Sequence, residues 1–339
     1  MKMIIIWEKV NHLALSVEKQ NQEKQALPSS IIHCVGNTPV VSLQRLFRER
    51  GIEVIAKLEY MNPGGSMKDR PARYMIEQGL REGTITADSH LIESSSGNLG
   101  VAMAMVARVY GLKFTCVVDP KTAPSNLRIL KQLGAHIEMV TEADDQGGYL
   151  KTRIKRVQEL LHTIPNAVWM NQYANDRNWQ AHYHGTGKEL AEQLTEPPDC
   201  LVAAVSTTGS ILGCARRLRE KFPNLKVIAV DAVGSVIFGA KPQRRELPGI
   251  GSSRVPEILA KDEIDEVVYV NDRESVQGCR DLLYHEGIFA GGSSGSVIAA
   301  IQKLIPTLPR PYRICTIFPD RGDRYLDMVY DEAWVNRLP

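Results

Sequence analysis

A lysine among residues that restrict the backbone is a candidate for chemistry, and the stretch "NPGGSMKDRPARY", residues 62–74, holds one. Two glycines and Ser66 precede Lys68, and Pro71 follows it. A proline has no backbone N–H to give and is tolerated only in the first turn of a helix. Lys68 therefore sits at or beside a helix N-terminus, where the positive local field favours a neutral amine over an ammonium and makes the residue a candidate imine former. Taken alone, such a stretch more often marks a helix start with an exposed lysine. Three further turns of similar make-up change that balance.

The stretch "ESSSGNLGVAMA", residues 93–104, runs from a strand through Ser95, Ser96, Gly97, Asn98 and Leu99 into an apolar helix. Free backbone N–H groups and hydroxyls at such a helix start form an anion site suited to a carboxylate. "VSTTGSILG", residues 205–213, offers Ser206, Thr207, Thr208, Gly209 and Ser210 in the same setting, a cradle for a phosphate. It is not a Walker loop, because no Gly-Lys-Ser/Thr follows, and "GTGKEL" at 185–190 fails as a dinucleotide fingerprint, since Leu190 stands where the third glycine belongs. The fourth turn, "FAGGSSGSVIAA", residues 289–300, again opens a helix with small residues.

These turns need elements to position them, and the chain alternates strand-like with helix-like runs. "EVIAKLEY", "SHLIESS", "KFTCVVD", "HIEMV", "AVWMN", "DCLVAAV", "KVIAVDAV", "EVVYV" and "YRICTIF" read as strands. "PARYMIEQGLREG", "LGVAMAMVARVYG", "PSNLRILKQLG", "YLKTRIKRVQELLHTI", "ILGCARRLREKF", "ESVQGCRDLLYHEG" and "SGSVIAAIQKLI" have helical periodicity, several ending in Gly. Such alternation predicts an α/β fold with a parallel sheet flanked by helices on both faces, over a length sufficient for two such sheets. Ligands in such folds collect at the carboxyl ends of the strands.

Composition sets the outer bounds. The 339 residues are 43% hydrophobic, 24% charged and 6% aromatic, with a formal net charge of +2 and the two signs interspersed. That describes a soluble globular protein of one large or two medium domains, without the basic face that nucleic acid requires. The longest apolar runs fall far short of the roughly 20 residues that span a bilayer, and Glu8, Lys9 and Glu18 interrupt any signal-peptide core, so the reading is cytoplasmic. The six cysteines lie scattered, mostly in apolar runs, and read as buried thiols. His182 and His184 stand two apart with no obvious third ligand for zinc.

Together the four turns resemble those of the fold-type II pyridoxal-phosphate enzymes, the cysteine synthase and cystathionine β-synthase family, over residues 35–326. The resemblance implies two domains, each a twisted, mostly parallel sheet flanked by helices: a smaller mobile one over 62–175 and a larger one over 30–61 plus 176–339, with 1–29 as an extension. It implies pyridoxal 5'-phosphate held covalently by Lys68, with Asn98 on its phenolic oxygen, Ser206 to Ser210 around its phosphate and Ser293 at its pyridine nitrogen. The substrate α-carboxylate falls to Ser95, Ser96, Gly97, Asn98 and Leu99. A serine beside the ring nitrogen leaves the pyridine largely unprotonated, which suits loss of a β-substituent better than transamination.

Two departures bear on the substrate. Ser206 stands where cysteine synthases usually have glycine, and Leu99 where they usually have threonine. In these features and in "FPDRGDRYLD" the chain resembles most the siderophore-pathway enzymes of 2,3-diaminopropionate formation. Those enzymes replace the phosphate of O-phospho-L-serine with the amine of L-glutamate by way of an α-aminoacrylate, giving N-(2-amino-2-carboxyethyl)-L-glutamate. On that resemblance Arg153, Tyr173 and Ser206 accept the phosphoserine phosphate and Gln172 a carboxylate. Arg153 within "KTRIKR" otherwise reads as a solvated helix face. The partners implied are small amino-acid substrates and a second copy of the chain as a homodimer. Two alternatives stand: a cysteine synthase using sulfide, and a catalytically silent binding or regulatory relative, against which the presence of Lys68, Asn98 and Ser293 speaks.

Overall fold

The computed structural model describes residues 27–47, 51–144 and 148–339, so most of the N-terminal extension lies outside the described residues. Among the described residues, ten strands make two sheets. The six-stranded sheet contains β1 (Val40–Ser42), β2 (Ile52–Leu58), β7 (Cys200–Ala204), β8 (Lys226–Ala232), β9 (Glu266–Val270) and β10 (Tyr312–Phe318), in the order β1-β2-β10-β7-β8-β9. The four-stranded sheet contains β3 (His90–Ser94), β4 (Lys113–Val118), β5 (His136–Met139) and β6 (Ala167–Trp169), ordered β5-β4-β3-β6. All pairings are parallel except that of β1 with β2.

The nine strands expected from the sequence are present, and β1 is additional. It has three half-buried residues and pairs with β2 from the edge, too short to leave a periodic pattern. β7 and β8 are buried almost end to end because helices cover both faces, which is why their sequences run apolar without alternation. Odd and even positions nevertheless serve different cores. Val202, Ile228 and Val230 pack with the helices Asp272–Asp281 and Gly292–Leu304. Leu201, Val227 and Ala229 pack on the other face with the helix Gly209–Lys221. In the smaller sheet Leu91 and Cys116 face the helices Asp69–Arg81 and Asn98–Tyr110, whereas Ile92 and Val117 face the helix Leu150–Thr163.

One contact shows how tightly this packing is drawn. A Cβ on Gly278 would lie 2.1 Å from the carbonyl oxygen of Gly295, so the two helices over the larger sheet meet backbone to backbone. A helical segment that sequence periodicity missed runs through Arg177–His182, a π-helical turn at Tyr183–Gly187 and Lys188–Gln193. Its two glycines, Gly185 and Gly187, interrupt the pattern that would have revealed it. Five cysteines are buried as expected, and Cys34 is exposed.

Candidate active site

The carboxyl ends of β2, β3 and β7 deliver three of the small-residue turns to one cleft between the sheets, and the fourth reaches it by pairing Ala290 with Arg321 in the turn after β10. The helix Asp69–Arg81 begins directly after Lys68, as Pro71 required. Its preceding loop is closed by Asp69, whose Oδ2 accepts from the Gly64 N–H at 2.5 Å. A Cβ on Gly64 would fall 2.4 Å from Asp69 Oδ1, so a side chain here would displace the carboxylate that closes the loop. Burial pushes the Lys68 amine below the ordinary lysine value, with the nearby Asp320 carboxylate opposing. A neutral amine is the form that attacks an aldehyde.

The next helix residue anchors the turn from below. Arg70 donates from Nε and Nη2 to both oxygens of Glu59 and from Nη1 and Nη2 to both oxygens of Glu189, each at 2.7 Å. Lys57 joins the same Glu189 at 2.7 Å. Burial raises the pKa of Glu189, but Arg70 and Lys57 override it and hold the carboxyl down at about 2.

Asn98 opens its helix with both ends of its amide engaged. Nδ2 donates to Asp320 Oδ2 at 2.7 Å, and Oδ1 accepts from Arg324, which also donates to Gly64 O at 2.6 Å. Ser95 Oγ accepts from the Gly97 and Gly100 N–H groups and so shapes the loop. Gly97 faces open space. The Leu99 side chain is 2% exposed in the smaller core, leaving only its backbone for a ligand. Beneath the loop the Glu93 carboxyl, raised to about 7 by burial, accepts from the N–H groups of Ser94 and Gln172.

The 206–210 turn has the marks of an anion cradle. Thr208 is held in the left-handed region at φ 66° and its buried Oγ1 has no partner. Strain of this kind in a non-glycine residue concentrates at ligand clamps. A Cβ on Gly209 would meet Asn178 Oδ1 at 2.6 Å. Asn178 in turn donates to Thr207 Oγ1 at 3.0 Å and to Gln172 O at 2.7 Å, joining the turn to the other sheet. Ser210 is buried in the first turn of the helix, and the Ser206 hydroxyl donates to Gly251 O at 3.1 Å.

Ser293 is buried at the start of the Gly292–Leu304 helix. Arg153 is buried too: its Nε lies 3.3 Å from Asp119 Oδ2, and Nε and Nη1 have no hydrogen-bond partner. Burial raises the Tyr173 pKa, and the positive charge of Arg153 lowers it. The two share one electrostatic environment, whereas Ser206 turns its hydroxyl to the 251 backbone and bonds neither.

The sequence reading missed the group that holds these parts together. Asp320, 2% exposed, accepts from Asn98 and, at 2.8 Å, from the Tyr325 hydroxyl. Pro319 O accepts from the Met67 N–H at 2.8 Å, and Asp320 O from the Gly291 N–H at 2.9 Å. The turn after β10 thus touches the Lys68, Asn98 and Ser293 segments at once. Its only signal in the sequence was acid and base crowded after an apolar strand in "FPDRGDRYLD". A groove beside Ile52, Tyr312 and Arg313 lies at the opposite ends of the strands and gathers none of these groups.

The donor set fits pyridoxal 5'-phosphate. An aldehyde needs an amine near neutrality, a phosphate needs unspent donors at a helix start, and the ring oxygen and nitrogen need one polar partner each. Lys68, the partnerless Thr208 hydroxyl with the Gly209–Lys221 helix, Asn98 and Ser293 meet those four needs.

Comparison with known proteins agrees. Residues 31–320 match the family described as pyridoxal-phosphate dependent enzyme. A protein of Ralstonia nicotianae named N-(2-amino-2-carboxyethyl)-L-glutamate synthase is 60% identical over 312 residues, 92% of each chain. The O-acetylserine dependent cystathionine β-synthase of Helicobacter pylori superposes with a TM-score of 0.83 at 32% identity, over 89% of this chain and 98% of that one. The O-acetylserine sulfhydrylase isoform 3 of Entamoeba histolytica gives 0.83 at 28% identity, over 91% and 93%. With the family match running over residues 31–320, the chain belongs to the pyridoxal-phosphate dependent enzymes.

Proposed function

We propose that this enzyme joins O-phospho-L-serine to L-glutamate, giving N-(2-amino-2-carboxyethyl)-L-glutamate and phosphate. The Cβ–O bond to phosphate breaks, a Cβ–N bond to the glutamate amine forms, and that amine gives up one proton. Bound in the cleft, pyridoxal 5'-phosphate supplies the electron sink that labilises the α-proton and lets the β-substituent depart. Lys68 anchors the cofactor and, once released by the substrate amine, takes the α-proton and later returns one. Ser95 to Leu99 bind the α-carboxylate, Ser206 to Ser210 the cofactor phosphate, and Ser293 faces the ring nitrogen. Gln172 completes the carboxylate contacts.

The observation that carries phosphoserine over other β-substituted serines is Arg153, a buried guanidinium in the electrostatic neighbourhood of Tyr173 that faces Asp119 yet leaves Nε and Nη1 without a hydrogen bond. A departing phosphate dianion suits that fork better than acetate does. The name of the Ralstonia relative supports the same reading. Residues 62–175 form the unit that closes on the remainder, and the working form is a cytoplasmic homodimer. No helix among the described residues is long and apolar enough to cross a membrane.

Mass spectrometry of the products from phosphoserine with glutamate or sulfide tests this. The glutamate adduct is expected as the dominant product. Cysteine from sulfide with no glutamate adduct would replace this reading with a cysteine synthase.

A further inference from the structure

A reaction with glutamate requires recognition of a second substrate that carries two carboxylates besides its reacting amine. We propose that Arg254 receives the side-chain carboxylate of L-glutamate, and that Glu257 of this chain occupies that guanidinium until the substrate arrives. The inference rests on the phosphoserine–glutamate reading above.

Three other arginines near these segments have a place of their own. Arg153 lies against Asp119 in the phosphate pocket. Arg324 holds Asn98 and the Gly64 carbonyl. Arg245 holds its own loop, donating to Ile250 O at 3.1 Å and to Ser253 Oγ at 2.9 Å. Arg254 differs in kind: its guanidinium lies 5.0 Å from the centre of the Tyr173 ring, and its side-chain acceptor is Glu257.

The backbone around Arg254 is fixed on the cleft. Its N–H donates to Ser252 Oγ at 3.1 Å, Gly251 O accepts from Ser206, and the Ile258 N–H donates to Tyr173 O at 3.1 Å. The side chain, in contrast, is restrained only by the aromatic face and by a carboxylate three residues on. Stacking on a ring leaves the edge of a guanidinium, with its forked N–H groups, free for a carboxylate. The Glu257 side chain is 51% exposed, and a pair so open to water contributes little and exchanges readily.

Glu257 presents to Arg254 the chemical group that ends the side chain of glutamate. It stands in for the substrate γ-carboxylate. The α-carboxylate of the nucleophile travels with the reacting amine towards the reaction centre, while the γ-carboxylate, three carbons out from the amine-bearing carbon, meets the cation stacked on Tyr173. Tyr173 then feels one cation for each substrate, Arg153 for the phosphate and Arg254 for the glutamate.

L-Glutamine, isosteric with glutamate but neutral at its end, makes this testable in the holoenzyme with phosphoserine as co-substrate. Adduct formation is followed for both amines in wild type, Arg254→Gln, Arg254→Lys and Glu257→Gln. Wild type should prefer glutamate. Arg254→Gln should lower that preference roughly ten- to a hundredfold through the glutamate KM, and Arg254→Lys should restore part of it. Glu257→Gln should lower the glutamate KM by removing the competing carboxylate, an effect that a merely structural residue would not produce. Equal losses for both amines in Arg254→Gln, or an unchanged preference, overturns the assignment, and an unchanged KM in Glu257→Gln overturns the stand-in role. If wild type forms the glutamate adduct but shows no preference, only this inference fails. If it forms no glutamate adduct, the reading beneath it fails as well.

Discussion

Arg153 lies in a helix whose basic run "KTRIKR" looks solvated, yet its side chain is only 11% exposed and faces Asp119. Hydrogen bonds to charged groups contribute about 1.5–3 kcal/mol each. Arg153→Ala should therefore lower kcat/KM for phosphoserine by roughly ten- to a hundredfold and leave O-acetylserine nearly untouched, read from the release of each leaving group. Equal losses would place Arg153 on the α-carboxylate or in the fold. Lys68→Ala should abolish turnover and the visible absorbance of the cofactor–lysine linkage, and an unchanged spectrum would remove the lysine from its role. Lys68 and the 206–210 turn were legible in the sequence because each is a local pattern, a few residues bent into a helix start. Asp320, Arg324 and Asn178 were not. Asp320 and Arg324 meet Asn98 across 222 and 226 positions, and Asn178 lies in the helical segment whose pattern the glycines broke.

Among the elements, strands buried on both faces announced themselves as apolar runs, and the long helices did so by their period. What failed was β1, held by its neighbour alone, and the π-interrupted segment at 177–193, whose glycines serve packing and break the pattern. Gly278 shows the strength of such packing. With Gly295 O 2.1 Å from where a Cβ would stand, Gly278→Ala must spread two helices of the larger core. The expected loss is about 1–3 kcal/mol, the range for overpacked cores. Chemical denaturation of the variant against wild type measures it, and unchanged stability would mean that the helices separate freely.

For the whole molecule, two sheets meeting at one cleft make closure the natural motion. X-ray scattering with and without bound substrate should show a smaller radius of gyration in the bound state, and identical curves would argue against movement of 62–175. The Lys57–Arg70–Glu59–Glu189 network ties Arg70, within 62–175, to three residues outside it. Glu189, at about 2 in the fold against an ordinary 4.5, contributes stability fully above about pH 4.5 and loses it as pH falls towards 2. Asp69 and Glu93, both raised by burial to about 7, act in the opposite sense, weighing on the fold as pH rises through that range. Comparing Glu189→Gln with wild type at each pH cancels them. The variant should melt lower at pH 7, by an amount that shrinks only below about pH 4.5. A difference constant down to pH 3 would show that the charge of Glu189 is not what stabilises.

The position of β10 also sets an order of assembly. It is the last strand in the chain, yet it lies in the middle of the larger sheet, between β2 and β7, and the turn that follows it carries Asp320. During synthesis the first three hundred residues can gather the smaller sheet and the β7-β8-β9 half of the larger one, but β2 has no parallel neighbour until residues 312–318 leave the ribosome. The pocket is therefore completed only late in synthesis. A chain stopped before Tyr312 lacks the turn through which Pro319 and Asp320 join the Lys68, Asn98 and Ser293 segments, so a nascent or truncated copy should not bind the cofactor as the finished one does.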